Sequence, residues 1–173
     1  MVQAAAGALL VLFACTAAWW DATAGRIPNP LTVGGLAVAL VLRALLGFDH
    51  VLQGLGGFGV AFAVALGLYA LRAIGGGDVK LLAAVGAFLG SGEIMGALGL
   101  IAVLGAAFAL IVVSRRGLLL LLVFNTVDLI KAWLRLGHAG PVRRAATPLL
   151  TIPYGVPIAL GTLIWWFANG VRV

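Results

Sequence analysis

Two of the five acidic residues in this 173-residue chain, Asp21 and Asp78, have surroundings that suit catalysis. Each lies at the edge of an apolar stretch, where a carboxylate costs roughly 3 kcal/mol to insert into a membrane and is therefore paired, solvated or functional. Two carboxylates brought close share one proton near neutral pH, because both cannot ionise cheaply. The ionised member can take a proton from an attacking water while the protonated member donates to the developing oxyanion. Such a pair can hydrolyse an amide bond without a metal, a thiol or a serine nucleophile.

Each of these acids also has a simpler structural interpretation. Asp78 directly precedes a predicted helix, where aspartate is a good N-cap, and Asp21 lies at a helix end that water can solvate. The other three acids, Asp49, Glu93 and Asp128, lie in short loops or near a helical lysine, and these positions are enough to explain them.

Three glycines stand directly before the second acid, in the sequence Gly75-Gly76-Gly77-Asp78. Because glycine has no β-carbon and tolerates unusual backbone angles, a substrate strand could lie against this backbone and bond to its amide groups. A flexible hinge between two membrane helices is the other interpretation. Phosphate binding is disfavoured, because no Walker-type lysine and hydroxyl pair follows.

Membrane helices must position these acids. Hydrophobic residues make up 64% of the chain and charged residues 9%, against about 25% charged in an average soluble domain. We therefore predict one all-α domain over residues 1–173, a polytopic membrane helix bundle. A span needs about 20 apolar residues, and the apolar stretches predict six spans, near residues 3–20, 31–47, 51–73, 79–92, 94–113 and 149–168. Cys15 is the single cysteine, which excludes an internal disulfide and a paired-cysteine zinc site.

The distribution of basic residues predicts the orientation of these spans. Nine lysines and arginines fall on the side of the loops after spans one, three and five, and only Arg43 and Arg172 fall on the other side. Because cytoplasmic loops carry the excess of lysine and arginine, we expect Asp21 and Asp78 to face the cytoplasm. The charges are scattered over loops and carry no nucleic-acid-binding motif, so we expect no nucleic-acid partner.

The stretch 117–136 differs from the predicted spans. Its apolar run passes into Asn125, Asp128, Lys131 and Arg135, which are spaced by three or four residues. This is the period of an amphipathic helix, and a helix with one cationic face commonly lies on the membrane surface. We predict a cytoplasmic interfacial helix here, with a seventh, imperfect span as the alternative. The tryptophan pairs Trp19-Trp20 and Trp165-Trp166 stand at span ends, where we expect them to anchor the chain in the headgroup region.

Three motifs occur together in the chain: Asp21 followed after five residues by Ile27-Pro28-Asn29, the G-x-G-D motif ending at Asp78 with Lys80 close behind, and Pro153-Tyr154-Gly155 near the last span. This combination resembles the type IV prepilin peptidases, the A24 family of G-x-G-D aspartyl proteases. The resemblance covers most of the chain.

The resemblance implies an intramembrane aspartic endopeptidase with Asp21 and Asp78 as its catalytic pair and no metal or other cofactor. It implies removal of the leader from prepilins or pseudopilins at the cytoplasmic face of the prokaryotic inner membrane, with membrane lipids as the other partner. Larger members also methylate the new N-terminus and carry an extra N-terminal region that often bears paired cysteines. This chain is similar to the small, peptidase-only kind associated with tight-adherence (Flp-type) pili, so we expect no methyltransferase domain and no methyl donor.

Other residues of the motifs are expected to bind substrate or shape the site: Gly75, Gly76, Gly77, Lys80, Pro28, Asn29 and Tyr154. Pro28 fixes backbone angles and Asn29 can bond to the turn's backbone, so this rigid turn could aim Asp21. Lys80 either tunes Asp78, contacts substrate or is a boundary cation that extends towards the headgroups. Tyr154 either borders the site or packs.

Helix dipoles suggest a division of labour within the pair. Asp78 lies at a helix N-terminus, where negative charge is favoured, and Asp21 lies near a helix C-terminus, where it is not. On this basis Asp78 is expected to be the base and Asp21 the proton donor.

Two other functions are compatible with paired membrane acids. A small transporter component could relay protons or bind cations through them, although both acids lie at one face and no inverted repeat is evident. An inactive assembly protein could retain the fold, although it would not need both acids.

Overall fold

The computed structural model describes residues 2–71, 73–115, 117 and 153–170. Every regular element among them is an α-helix, which confirms the all-α prediction. The six described helices are α1 (Val2–Ala24), α2 (Asn29–Ala44), α3 (Phe48–Ala70), α4 (Gly76–Leu89), α5 (Ile94–Arg115) and α6 (Gly155–Asn169). The proposed surface helix at 117–136 lies outside the described residues, apart from Gly117.

Three of the described helices, α1, α3 and α5, are long and apolar enough to cross a membrane. The apolar helices α2 and α6 are shorter, with 16 and 15 residues, and α4 has 14 residues. A helix of 14 residues is about 21 Å long, less than the roughly 30 Å of a bilayer's hydrocarbon core. The chain is therefore a helical membrane protein, and the number of six spans stays a prediction.

The chain divides into two compact units. The first comprises residues Met1–Gly105 and Pro153–Val173, and it contains all the residues predicted to form the site. The second comprises Ala106–Ile152 and is described only for the end of α5 and for Gly117.

Glycine and proline set the turn that ends α1 and begins α2. Gly25 has a positive φ of 63°, a conformation that L side chains rarely adopt, and its N–H donates to the carbonyl of Asp21. Pro28 is the N-cap of α2 with extended angles, and its carbonyl accepts the N–H of Leu31. Since proline has no N–H and cannot continue a helix interior, the chain turns sharply within a few residues of Asp21.

Helix α4 is the most buried element of the first unit. All of its residues from Val79 to Leu89 are buried except Lys80. Its Gly86 lies directly against Gly57 of α3, and neither position has room for a β-carbon. Small residues therefore bring the two helix backbones into contact, as expected for membrane helices, and α4 is held firmly in the core.

The far end of α4 is capped by a buried arginine. Arg43, which the charge count placed on the outer side of the membrane, is only 1% exposed. Its guanidinium donates to the carbonyls of Ala87 (2.7 Å), Phe88 (3.0 Å) and His50 (3.2 Å). The first two are among the last four carbonyls of α4, which have no partner within the helix, so Arg43 satisfies them and complements the helix dipole.

The tryptophans divide into two kinds. Trp19 and Trp20 are exposed, as anchors in the headgroup region should be. Trp166 is instead buried beside Gly7, and Trp165 donates its indole N–H to Glu93 at 3.0 Å. The expectation that the second pair acts as a membrane anchor is therefore wrong for Trp166, whose ring is buried in the helix bundle, while Trp165 is half-buried and bonded to Glu93.

Candidate active site

Asp21 lies in the last turns of α1 and is only 7% exposed. Its carboxylate accepts the backbone N–H of Gly155 at 2.5 Å, and this bond is buried. Gly155 is the first residue of α6, so its N–H is one of the donors that a helix leaves unpaired at its N-terminus. The contact joins two segments that are 134 residues apart in sequence.

Gly155 fits this position because it has no side chain. A β-carbon there would lie 2.8 Å from Cβ and 2.9 Å from Oδ2 of Asp21. Such distances are too short for non-bonded atoms, so any other residue would move the carboxylate or the start of α6. The third motif thus contributes a backbone donor in contact with the first catalytic candidate.

Asp78 lies in the first turn of α4 and is 8% exposed. The helix begins three residues earlier than the sequence suggested, so Asp78 is its third residue and not its N-cap. Its Oδ2 accepts the N–H of the N-cap residue Gly75 at 3.0 Å, the acidic half of a capping box. Both candidate acids therefore have a carboxylate bonded to the N-terminal backbone of a helix.

The two carboxylates lie within electrostatic range of each other. Asp78 precedes the predicted span 79–92, and burial, together with the charge of Asp21, raises the pKa of Asp78 from 3.8 to about 6, although the Gly75 N–H opposes this rise. Tyr154 is half-buried and also within electrostatic range of Asp78. Asp21, Asp78 and Tyr154 therefore belong to one site.

The structure removes the basis on which the two acids were given separate roles. Asp21 does lie near the C-terminal end of its own helix α1, but its carboxylate bonds to the N-terminus of α6. The N-terminal ends of helices favour negative charge, so the nearest dipole supports ionisation of Asp21 as well as of Asp78. Helix dipoles alone do not distinguish base from acid here.

The turn after Asp21 and the start of the helix that carries Asp78 contact each other directly. Lys80 donates its ammonium to Oδ1 of Asn29 at 2.8 Å, at the exposed rim of the site. Beneath that bond, the buried side chain of Ile27 lies beside Gly77. The I-P-N turn and the start of α4 are thereby held together, which brings Asn29, Lys80 and Gly77 to the site as the sequence suggested.

The glycines before Asp78 have ordinary backbone conformations. Gly75 has φ −84° and ψ 161°, and the described residues with positive φ do not include Gly76 or Gly77. A β-carbon at any of the three would make contacts of 3.4 Å or longer. Neither packing nor the backbone therefore demands glycine here. Gly75 is exposed but bonded to Asp78, and the backbone of Gly76 is exposed beside it.

A cleft of about 470 Å³ opens along the turn after Asp21. Its lining consists of Trp20, Arg26, Ile27, Pro28, Asn29 and Pro30. Within the described part of the chain, no group of three or more histidine, cysteine, aspartate or glutamate side chains could hold a metal ion. The described site is thus two carboxylates bonded to helix N-termini and a nearby tyrosine, and the cleft along the neighbouring turn has both polar and apolar walls.

Sequence reasoning missed two contributors to this arrangement. Gly155 was quoted as part of a motif, but its backbone contact with Asp21 depends on tertiary structure and leaves no local signal. Arg43 was counted only as a basic residue on the outer side. Its position in the last turn of α2, within an otherwise apolar stretch, was the one available sign that its charge is buried.

A helical membrane protein with two buried carboxylates at one site fits the class of intramembrane hydrolases. Comparison with known families specifies the class further, because residues 8–110 match the model of the type IV leader peptidase family. The chain belongs to this family, and membership implies peptidase activity. The match includes Asp21 and Asp78 and ends before Gly155. No curated protein and no solved structure matches the chain.

Proposed function

We propose that this protein is an aspartic endopeptidase that removes the leader peptide from prepilins or prepilin-like proteins, with Asp21 and Asp78 as its catalytic pair. The observation that carries the proposal is the pairing of two buried carboxylates within electrostatic range, each bonded to a helix N-terminus. Membership in a leader peptidase family favours this function over transport.

The chemistry follows from one shared proton. The ionised carboxylate takes a proton from water as the water oxygen bonds to the scissile carbonyl carbon, and the protonated carboxyl donates its proton to the carbonyl oxygen. When the tetrahedral intermediate collapses, the first carboxyl gives its proton to the leaving nitrogen and the second recovers one from a hydroxyl. The C–N bond breaks, and both acids return to their starting states.

The glycines before Asp78 support an extended substrate lying across the start of α4. Because packing does not demand glycine at Gly76, its exposed backbone is suited to a partner outside the chain, while the N–H of Gly75 is already bonded to Asp78. A strand bonded there would place its peptide bonds beside Asp78. Lys80 and Asn29 stand at the same rim, and Tyr154 lies on the side of α6.

The proposal is tested by incubating the protein in liposomes with a candidate prepilin. The comparison is with the Asp21→Ala and Asp78→Ala variants, whose helix content is checked by circular dichroism. Loss of leader cleavage in both folded variants supports a peptidase that uses the pair. Unchanged cleavage in either one refutes the pair, and ion flux without cleavage by the wild type would indicate a transporter.

We also propose that the site faces the cytoplasm at the prokaryotic inner membrane. The excess of basic residues in the odd-numbered loops supports this orientation. Membrane vesicles of the two orientations distinguish the alternatives: an externally added substrate should be cut by inside-out vesicles only. Cleavage by intact right-side-out vesicles alone would reverse the orientation.

Finally, we propose that the product is released without methylation. Mass spectrometry of the cleaved pilin, with a methyl donor present, should show a free N-terminal amine. A methylated product made by the purified protein would contradict this proposal.

A further inference from the structure

We propose that the backbone N–H of Gly155 makes Asp21 the ionised base of the catalytic pair and leaves the shared proton on Asp78. This inference rests on the proposed function. It reverses the roles expected from the position of each acid on its own helix, which made Asp78 the base and Asp21 the proton donor. It makes Gly155 a positioning residue, since its amide acts on Asp21 and not on the substrate.

The two carboxylates differ in the bonds that stabilise their charge. Asp21 accepts a buried N–H at 2.5 Å, whereas Asp78 accepts a partly buried one at 3.0 Å. A short hydrogen bond from a donor shielded from water stabilises a charged acceptor more than a longer bond that is partly exposed to solvent. Both donors lie at helix N-termini, so the helix dipoles support both charges alike, and the difference between the acids lies in the length and burial of the two bonds.

Asp78 has weaker support for its negative charge, because its bond to the Gly75 N–H is longer and only partly buried. The nearest cation along its helix, Lys80, donates to Asn29 and forms no ion pair with Asp78. Both acids are buried, at 7% and 8% exposure, and burial raises the pKa of Asp78 to about 6. A carboxyl that keeps its proton in this way is suited to donate it to the substrate's carbonyl oxygen.

Among the residues that the structure describes, few other charges lie around Asp21. Helix α4 contributes Asp78 and Lys80, the residue before α6 is Tyr154, and the turn after α1 carries the exposed Arg26. Helix α6 itself has no charged residue, and the one cation within α2, Arg43, bonds at the opposite end of α4. Within the described part of the chain, Asp78 is thus the acid that competes with Asp21 for the proton, and the amide of Gly155 decides between them.

The order of proton transfers then follows. Asp21 takes the proton of the attacking water, and Asp78 gives its proton to the carbonyl oxygen. On collapse, Asp21 delivers its new proton to the leaving nitrogen, and Asp78 takes one back from the hydroxyl. Charge and protons balance, and Asp21 ends ionised again beside Gly155.

The first test compares Gly155→Ala with a matched variant on the same helix, Gly161→Ala. A β-carbon at position 155 would press on Asp21 at 2.8 Å, and one at position 161 would press on Ile101 at 2.6 Å, away from the acids. Both variants strain the packing of α6. Only Gly155→Ala weakens the N–H bond that holds the charge of Asp21.

For Gly155→Ala we expect the acidic limb of the profile of kcat/KM against pH to move up by about one unit, a tenfold change in proton affinity. Gly161→Ala should lower the melting temperature and leave that limb in place. An unmoved limb in a Gly155→Ala enzyme of normal activity overturns the proposal. So does an equal shift in both variants, since it would reflect packing alone.

A second test needs no activity and holds even if Gly155→Ala fails to fold. Infrared spectroscopy detects the carbonyl stretch of a protonated carboxyl, and with five acids in the chain each band can be assigned by substitution. A band that titrates near neutral pH should vanish in Asp78→Asn and persist in Asp21→Asn. The reverse pattern refutes the assignment. If the wild type cleaves no prepilin, the proposed function fails while this spectrum still decides which acid holds the proton.

Discussion

Replacing Arg43 with methionine should destabilise the protein strongly, although Arg43 lies at the end of α4 opposite the acids. Methionine has a similar length and suits an apolar site, but it donates no hydrogen bond. The carbonyls of Ala87, Phe88 and His50 would lose their guanidinium partner. Each bond to a charged group contributes about 1.5–3 kcal/mol, and each carbonyl would stay buried without a donor.

The magnitude is a difference between two large effects. Three such bonds at the lower limit stabilise by about 5 kcal/mol, and the variant regains part of the cost of burying the guanidinium, about 2 kcal/mol. We therefore expect a net loss of about 3 kcal/mol in the free energy of unfolding. For a chain of this size that corresponds to a melting temperature lower by about 9 °C.

Intrinsic tryptophan fluorescence of the detergent-solubilised protein measures this change on heating. Arg43→Lys keeps the charge but not the forked geometry, so it should fall between the wild type and Arg43→Met. Arg115→Met removes an exposed cation from the last turn of α5 and should change stability by less than about 0.5 kcal/mol. If Arg43→Met melts with the wild type, the end of α4 does not depend on this arginine and the reasoning fails.

Three further predictions concern the site. Asn29→Ala and Lys80→Met should each reduce leader cleavage. Because the hydrogen bond between Lys80 and Asn29 is exposed, a double-mutant cycle should give a coupling energy of only about 0.5–1 kcal/mol. Purely additive effects would show that this bond does not contribute. Gly76→Ala should fold normally and raise KM severalfold, since its β-carbon has room within the chain but would obstruct a substrate backbone; an unchanged KM contradicts this use of the glycines. Because burial raises the pKa of Asp78 to about 6, folding favours its protonated form, and the free energy of unfolding should fall by up to about 3 kcal/mol as pH rises from about 4 to about 6. Chemical denaturation across this pH range should show a shallower fall for Asp78→Asn. An equal fall in the wild type and in Asp78→Asn contradicts this prediction.

The helices could be predicted from sequence because their signals are local. Apolar runs and the prolines after Asp21 place the first five helices within a few residues of their observed bounds. The number of true crossings could not be predicted with equal certainty. Helix α4 is shorter than the length expected of a membrane span. Its burial depends on tertiary contacts, such as that of Gly86 with Gly57 of α3.

The chemistry of the site was visible in the sequence, but its electrostatics were not. Rare acids beside glycine and proline motifs identified Asp21 and Asp78. The charge state of Asp21, however, depends on an amide 134 residues away, and that contact exists only once α1 and α6 pack. An argument from the dipole of each acid's own helix made Asp78 the base and Asp21 the proton donor. Our proposal, which takes the tertiary contacts into account, exchanges these roles.

The central claim is that Asp21 and Asp78 cleave the leader as a pair. The most direct measurement is the single-turnover rate of prepilin cleavage by Asp21→Asn and Asp78→Asn, with Asp49→Asn as a control, since Asp49 is an exposed acid in the first turn of α3. Because each variant removes one member of the acid–base pair without changing its shape, both rates should fall at least about 100-fold while the control keeps the wild-type rate. Cleavage at a near-wild-type rate by either folded variant would contradict the account.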